Sequence, residues 1–340
     1  MTTIKDIARQ ANVSLGTVSN FLNNPNLLSD DTYQLIKKTI DELGYHPVSA
    51  ARSLKMNQTR RIGIIPVISI EDNIHSQAQD TAFYNLVSAI NTEASQSGYG
   101  ILMQATTNKE DEIKFYQRLI GEKQVDGFIL MGVGCEDKRI EMLKEIKFPF
   151  IAFGRTLEPK EYSYIDTDGE KGIFNAVQHL VDLGHNRIAF IKPPPDLTFS
   201  QHRLKGYLSG LHINGLQEDP CLIIEGKFSE QSGQEIMDIL MSCKDKPSAI
   251  IAPNDYSAFG MMNWLNNHDM MAGKDISIIG FDDLSLSSHW RPGLTTLAQP
   301  FFQIGIQLTQ LLLKKINGEE QHFQVLIDPK LIVRETTGKK

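Results

Sequence analysis

From Ile62 to Phe281 the chain repeats one texture, a short apolar run followed by an amphipathic segment. The runs are Ile62–Ile65, Ile101–Met103, Phe128–Met131, Phe150–Phe153, Ile188–Ile191, Leu222–Ile224, Ile250–Ala252 and Ile276–Phe281. Nearly all are separated by segments with helical spacing: Phe83–Ser97, Lys109–Lys123, Gly169–Leu183, His202–Asn214, Glu230–Cys243 and Ser257–Asn266. Parallel strands need long crossovers, and crossover helices cover both sheet faces, so short all-apolar strands between amphipathic helices spell parallel α/β sheet. About 280 residues of this pattern exceed one core and imply two such units side by side. A last helix, Phe301–Ile316, ending near Gly318, precedes Gln324–Ile327 and Leu331–Val333 as closing strands.

The first 60 residues have another texture. Ile4, Ile7, Ala8 and Ala11 form one apolar helical stripe, and Val18, Phe21 and Leu22 form a second. Asn12 between them suits a left-handed turn position, and Ser14 suits an N-cap. Leu15, Gly16, Ser19, Asn20 and Asn23 face away from the second stripe, and none is a solvating Lys or Glu. Ser29-Asp30-Asp31 starts a third helix, which carries Tyr33, Ile36, Ile40 and Leu43 and stops at Gly44. Two short helices around a turn, with small polar residues on the second, describe a helix-turn-helix, although an ordinary helical hairpin would look similar. Val48–Met56 is helix-compatible but too short to stand alone, and reads as a segment that folds when something holds it.

Charge sharpens the division. The 340-residue chain carries −7, yet residues 1–61 hold eight Lys/Arg against five Asp/Glu. From Leu43 to Ile70 there is no carboxylate, while Arg52, Lys55, Arg60 and Arg61 lie inside that span. A basic head on an acidic body fits a phosphate-binding module joined to a domain that does not bind phosphate. Hydrophobic content of 41% and charged content of 22% are those of a globular protein. No apolar run approaches a membrane span, and the polar start carries no signal core, so a cytoplasmic protein is expected. Cys135, Cys221 and Cys243 are odd in number and far apart, which suggests buried thiols rather than disulfides or a zinc site.

In open parallel sheets ligands collect beyond the carboxyl ends of the strands. Those positions hold Arg155, Asn254-Asp255 and Asp282-Asp283; Arg203 opens a following helix, and Phe83 and Phe228 sit where a loop meets a helix. Carboxylates, amides and arginines hydrogen-bond vicinal hydroxyls, and rings stack on the C–H faces of a polyhydroxylated ligand. Capping or structural roles compete at each position, most strongly at Asp255 and Asp283.

Taken together, these residues resemble the Lac repressor family (LacI/GalR-type) of transcriptional regulators over essentially the full length. The carriers are Thr3-Ile4-Lys5-Asp6-Ile7-Ala8, Val13-Ser14 with Thr17-Val18-Ser19 and Leu22-Asn23, Leu43-Gly44-Tyr45 with Pro47, and Ala51-Arg52-Ser53-Leu54. Later carriers are Val125-Asp126-Gly127, Asp166-Thr167-Asp168, Leu183-Gly184-His185, Asn254-Asp255, Ile278-Ile279-Gly280-Phe281-Asp282-Asp283 and Leu294-Thr295-Thr296 with Gln299-Pro300. The resemblance implies a helix-turn-helix headpiece (1–46), a hinge helix or linker (47–60) and a core like periplasmic sugar-binding proteins. The core halves are expected at 61–161 with 292–322 and at 162–291 with 323–340. It also implies a homodimer on a pseudo-palindromic operator, with a small-molecule effector, a carbohydrate first, in the cleft. No cofactor, metal or membrane is implied. The tetramerising heptads of the Lac repressor are not expected here.

Residue by residue, the resemblance places Thr3, Ser14, Leu15, Gly16, Thr17, Ser19, Asn20, Asn23, Ala51, Arg52, Leu54 and Lys55 against DNA. Of these, Leu15, Gly16 and Asn20 take base-reading positions, and Leu54 the minor-groove wedge. Asn20 departs from the long polar or basic residue common there, so adenine is favoured over guanine, and Leu15 offers only apolar contact such as a thymine methyl. On the effector side it places Phe83, Arg155, Arg203, Phe228, Asn254 and Asp282, with the register of Phe83 left open by one position after the long loop Ser69–Ala82 and Arg155 standing where acidic residues are common. The alternative is a co-repressor design binding a purine, sugar phosphate or phosphoprotein. A solute-binding protein fits most of the chain but not the three-helix head. An enzyme finds no nucleophile elbow, phosphate loop or metal spacing. Asp166-Thr167-Asp168-Gly169-Glu170 lacks the ligand spacing of a calcium loop.

Overall fold

The computed structural model describes residues 2–45, 58–66, 81–106, 109–158 and 161–340, without the side chains of Asn23, Lys109 and Glu110. The expected linker residues Ala51, Arg52, Leu54 and Lys55 lie outside the described residues. The chain divides into two units, Met1–Thr59 and Arg60–Lys340.

The first unit contains α1 (Ile4–Gln10), α2 (Leu15–Asn23) and α3 (Asp30–Leu43). Asn12 takes the left-handed turn conformation, φ 52°, between α1 and α2. Ser14 caps α2, its hydroxyl accepting from the Thr17 N–H at 3.0 Å. Ser29 caps α3, and Gly44 closes it at φ 55°. Ile7, Ala8, Ala11, Val18, Ile36 and Tyr45 make the core, with Phe21 and Leu22 packed against it. The helix-turn-helix reading therefore holds over an ordinary hairpin, because α3 packs on both earlier helices.

The second unit holds two six-stranded sheets. The first runs in the order β11-β5-β4-β3-β1-β2, all parallel: β1 Arg61–Ile64, β2 Gly100–Met103, β3 Gly127–Leu130, β4 Phe150–Phe153, β5 Tyr164–Thr167 and β11 Gln324–Ile327. On one face α4 (Thr81–Gln96) and α12 (Phe301–Ile316) bury Leu86, Ile90, Ile304 and Leu308 against Ile62, Ile129 and Ile151. Gly305 allows this approach, since a Cβ there would stand 2.7 Å from Ala89. On the other face α5 (Lys109–Gly121) and α6 (Lys138–Glu145) cover Phe128, Leu130 and Phe150.

The second sheet is ordered β12-β10-β9-β8-β6-β7, with only β12 antiparallel: β6 Ile188–Lys192, β7 Ile223–Glu225, β8 Ala249–Ile251, β9 Ser277–Asp282, β10 Thr295–Ala298 and β12 Lys330–Ile332. Helices α7 (Gly169–Asp182) and α8 (Thr198–Ile213) cover one face; α9 (Glu230–Ser242) and α10 (Asp255–Asn267) cover the other, and α11 (Ser285–His289) follows β9. Period two is visible in β6, where Ile188 and Phe190 join one core and Ala189 and Ile191 the other.

Several expectations need correction. Tyr164–Thr167, Thr295–Ala298 and the helix Lys138–Glu145 are elements that the apolar pattern passes over. Their sheet membership moves the expected core boundaries. Residues 164–167 belong to the first sheet, 295–298 to the second, and 324–327 return to the first. The crossings fall a few residues later than 161/162, 291/292 and 322/323 because strand pairing continues through polar residues with tertiary partners. Arg203 does not open its helix. It stands in the second turn of α8, which begins at Thr198 just beyond Pro193-Pro194-Pro195. None of the three thiols is buried: Cys221 is exposed, and Cys135 and Cys243 are half-buried.

Candidate functional site

In the first unit Leu15 and Gly16 begin α2 and are exposed, Leu15 at 49%. Thr17, Ser19 and Asn20 are half-buried along the same helix. Ser14 and Thr17 hydrogen-bond one another at 2.8 Å, so their hydroxyls first fix the start of α2. Thr3 is exposed and donates from both its N–H and its Oγ1 to Asp6, at 3.0 and 2.7 Å. The Thr3 hydroxyl and amide hold the Asp6 carboxyl below its usual range. The surface that results has small polar groups, one apolar side chain and no carboxylate on α2.

In the second unit the candidate effector residues come from both sheets. Arg203 is buried, its Nη1 donating to the Pro253 carbonyl at 2.8 Å. Its guanidinium lies 3.4 Å from the Phe281 ring centroid and 4.8 Å from that of Phe199. Burial lowers its pKa to about 10, against the opposing pull of Asp282 and Asp166. Phe199 in turn lies 6.2 Å from Phe228 at a 40° tilt, giving a two-ring wall beside the arginine. Asn254 caps α10, its Oδ1 accepting from the Ser257 N–H at 2.9 Å. Phe83 is half-buried in the first turn of α4, and Thr81 ahead of it is 3.5 Å from the Tyr256 hydroxyl of the second sheet's α10.

Arg155 Nε sits 3.2 Å from the carboxyl of Asp166, off the line of its N–H, so the two face each other without a hydrogen bond from that group. Asp166 is buried at the end of β5. Burial raises its pKa to about 7, opposed by Arg155, the Thr167 N–H and Arg203. A 250 Å³ cavity beside this pair is lined by Arg155, Tyr164, Glu170, His202 and Lys205. Between the sheets, the Thr167 hydroxyl donates to Gln299 Oε1 at 2.5 Å, and Gln299 Nε2 donates to Asp282 Oδ1 at 2.6 Å. Asp282 and Asp283 both hold positive φ, 113° and 55°, a strained pair at a strand end of the kind found where function fixes the backbone.

The structural alternatives win at two positions. Asp255 is wholly buried and accepts from the Leu284 N–H at 2.8 Å, Ser287 at 2.6 Å and Thr296 at 2.5 Å. Burial raises its pKa to about 6, against those three bonds. Gly280 makes room for it, since a Cβ there would run into Asp255 Oδ1. Asp283 is paired with Arg334 at 2.7 Å. Asp168 caps α7 through the Lys171 N–H, and among the described residues no cluster of His, Cys, Asp and Glu could hold a metal. Sequence reasoning did not pick out Phe199, Asp166 and Gln299, which the structure brings beside the candidate groups. Phe199 was recoverable, because it lies four residues before Arg203 on one helix face.

The pattern for bacterial regulatory proteins of the lacI family matches residues 3–48, and that for a periplasmic binding protein-like domain matches residues 177–337. The HTH-type transcriptional repressor CytR of Escherichia coli (strain K12) is 32% identical, over 98% of this chain and 96% of that protein. The chain belongs to the LacI family of bacterial regulatory proteins. Another relative, the HTH-type transcriptional repressor PurR of Vibrio vulnificus (strain CMCP6), is 30% identical over 100% of this chain and 99% of its own length. The structure of the Lac repressor dimer bound to operator and the anti-inducer ONPF superposes with a TM-score of 0.87 at 27% identity, covering 99% of each chain. A complex of the transcriptional regulator CelR with cellobiose gives 0.75 at 27%, covering 99% of this chain and 100% of that one. As a LacI-family chain it is a DNA-binding transcriptional regulator with an effector-responsive core, and not an enzyme. Among its described residues no helix is long and apolar enough to cross a membrane.

Proposed function

We propose that this chain is a cytoplasmic, homodimeric repressor whose affinity for a pseudo-palindromic operator is set by a neutral polyhydroxylated effector, a carbohydrate first. Residues 1–46 form the headpiece and 47–60 the linker that folds on DNA. Thr3, Ser14, Leu15, Gly16, Thr17, Ser19, Asn20 and Asn23 contact DNA through the headpiece, and Ala51, Arg52, Leu54 and Lys55 through the linker. Phe83, Arg155, Arg203, Phe228, Asn254 and Asp282 meet the effector, with Phe199 added. Effector and operator oppose each other through one reciprocal coupling energy, typically about 1–3 kcal/mol.

The observation that carries the neutral effector is charge balance. Once Asp166 ionises, above about pH 7, it matches Arg155, and Arg203 feels Asp282 and Asp166, so there the site offers donors and acceptors without a surplus of cations. A phosphorylated ligand would need that surplus. The second reading, a purine-type co-repressor, is favoured by one feature only, the Phe199–Phe228 wall, which suits a flat ring.

A thermal-shift screen of the purified protein against neutral sugars, nucleosides, purines and sugar phosphates tests both. Ligand at a hundredfold excess over Kd adds about 2.7 kcal/mol of stability. A melting shift with a neutral sugar is the expected result. Shifts confined to purines would install the second reading, and shifts confined to phosphates would overturn the charge-balance argument.

A further inference from the structure

One buried charge cluster has no part in the site described above. Arg139 on α6 is buried and uses all five of its N–H groups. Nε and Nη2 donate to the two oxygens of Asp137 at 2.9 and 2.6 Å, and Nη1 donates to Glu112 at 3.0 Å. The remaining two go to backbone carbonyls, Met131 and Gly132, each at 3.1 Å. Asp137 also accepts the Gly134 N–H at 3.3 Å. The loop after β3, Met131 to Asp137, is thereby tied from beneath at four points. A planar guanidinium can satisfy this arrangement and an ammonium cannot.

That loop is one of the places where the first sheet's half touches the second's. The Val133 carbonyl accepts both the N–H of Thr198, at 3.2 Å, and its hydroxyl, at 3.1 Å. Gly134 and Leu197 form an antiparallel bridge next to it. Thr198 is the first residue of α8, so its N–H has no partner within the helix and is available to reach across. α8 is also the helix that carries Phe199 and Arg203.

We propose that Val133 and Thr198 form a bolt across the two halves of the core, with Arg139 as the positioning residue that holds the Val133 side of it in register. The bolt acts on the equilibrium between closed and open arrangements, and through it on the operator response given under the proposed function, on which the second test below rests. No contact between Arg139 and effector or DNA is required. Closing energy comes from two hydrogen bonds whose acceptor cannot rotate away while the guanidinium holds the loop.

Hydrogen exchange of the full chain, without ligand or DNA, tests the bolt directly. Thr198 is expected to show a protected amide although it begins a helix. Arg139→Lys should release that amide while the amides of Gly127–Leu130 keep their protection. A Thr198 amide that exchanges as fast as an unbonded helix start, or one unaffected by Arg139→Lys in a folded protein, overturns the proposal. Removing Arg139 outright would strand Asp137 and Glu112 in the interior, so the functional test uses Thr198. Thr198→Val removes the hydroxyl donor. Thr198→Pro removes both donors at a position where proline fits, the first of a helix after an extended Leu197 with ψ 126°. On a pseudo-palindromic duplex selected from a random library, operator Kd should move by about fivefold for the valine variant, and by more for proline. Two folded variants with wild-type operator Kd would overturn the regulatory half. A wild-type chain that binds no such duplex would instead overturn the proposed function, and the exchange result alone would then decide the bolt.

Discussion

The headpiece and the core solve the placing of functional groups in opposite ways. In the headpiece the candidate groups, Thr3 apart, come from one helix and the turn before it, and their orientation follows from helical period. In the core the groups come from separate strand ends, up to 132 residues apart, and hold one another: Thr167 to Gln299, Gln299 to Asp282, Arg155 to Asp166. A surface made by one helix can change its specificity one residue at a time. A site whose members hold each other cannot, and substitutions there couple.

The sharpest way to separate the two regions is to unfold one. Ile36 is fully buried in a core of six residues, and Ile36→Ala should cost about 2–5 kcal/mol. That is comparable to the whole stability of a unit this small. Operator binding should disappear while the main calorimetric transition, from the core, stays in place. A shifted main transition would show that the two units do not unfold separately.

Next in size, Asp255→Ala strands three buried donors, at about 1–3 kcal/mol each where no water replaces the carboxylate. Here the main transition should fall. Operator binding below that transition should persist.

The core should also answer to pH. Asp166, raised to about 7 by burial, keeps its proton in the folded chain over a range where the unfolded chain has lost it. The folded state then binds more protons, so this group's contribution to stability decreases as pH rises from about 4 to 7, with a slope of at most about 1.4 kcal/mol per unit. Asp255, raised to about 6, acts in the same direction, while His179, His185 and His202, lowered by burial, act oppositely. The measurement is therefore a difference: Asp166→Asn should flatten the descending limb of melting temperature between pH 4 and 7. An identical profile would mean that Asp166 is ionised throughout.

The smallest effect belongs to the headpiece. Ser14→Ala removes the cap of α2 at about 1 kcal/mol. The unit's melting, followed by its own helical signal, should drop by a few degrees and the core should not notice.

The same contrast explains what was legible. Asn12, Ser14, Ser29 and Gly44 could be assigned from the amino acids because caps and turns are local. Both sheets could be anticipated because Ile62–Ile65 or Ile188–Ile191 are apolar on both faces. Tyr164-Ile165-Asp166-Thr167 could not, since a four-residue strand with two polar members looks like a loop until Arg155 and Gln299 are seen to satisfy them. Thr295-Thr296 was hidden in the same way, by partners at Thr336 and Asp255. Those two strands carry the crossings between sheets, so the missed elements were the ones that decide where the core divides. Of the effector candidates, Arg155, Asn254 and Asp282 could be picked out as residue types at or just beyond strand ends. Their mutual bonds, and the ring of Phe199 beside Phe228, depend on distances that no spacing rule supplies.

The three crossings also govern how the protein can be made. Strands β1 to β5 leave the ribosome early, but α12, which covers Ile129, Ile151 and Ile165, and β11, which borders β5, are synthesised only near the end. The first sheet therefore waits with the part of one apolar face that α12 will cover, beside α4, bare while the whole second sheet is translated. A nascent chain in that state presents the kind of surface that chaperones hold and aggregates recruit. Its vulnerability in the cell lies in the interval before residue 316 emerges, rather than in the finished fold.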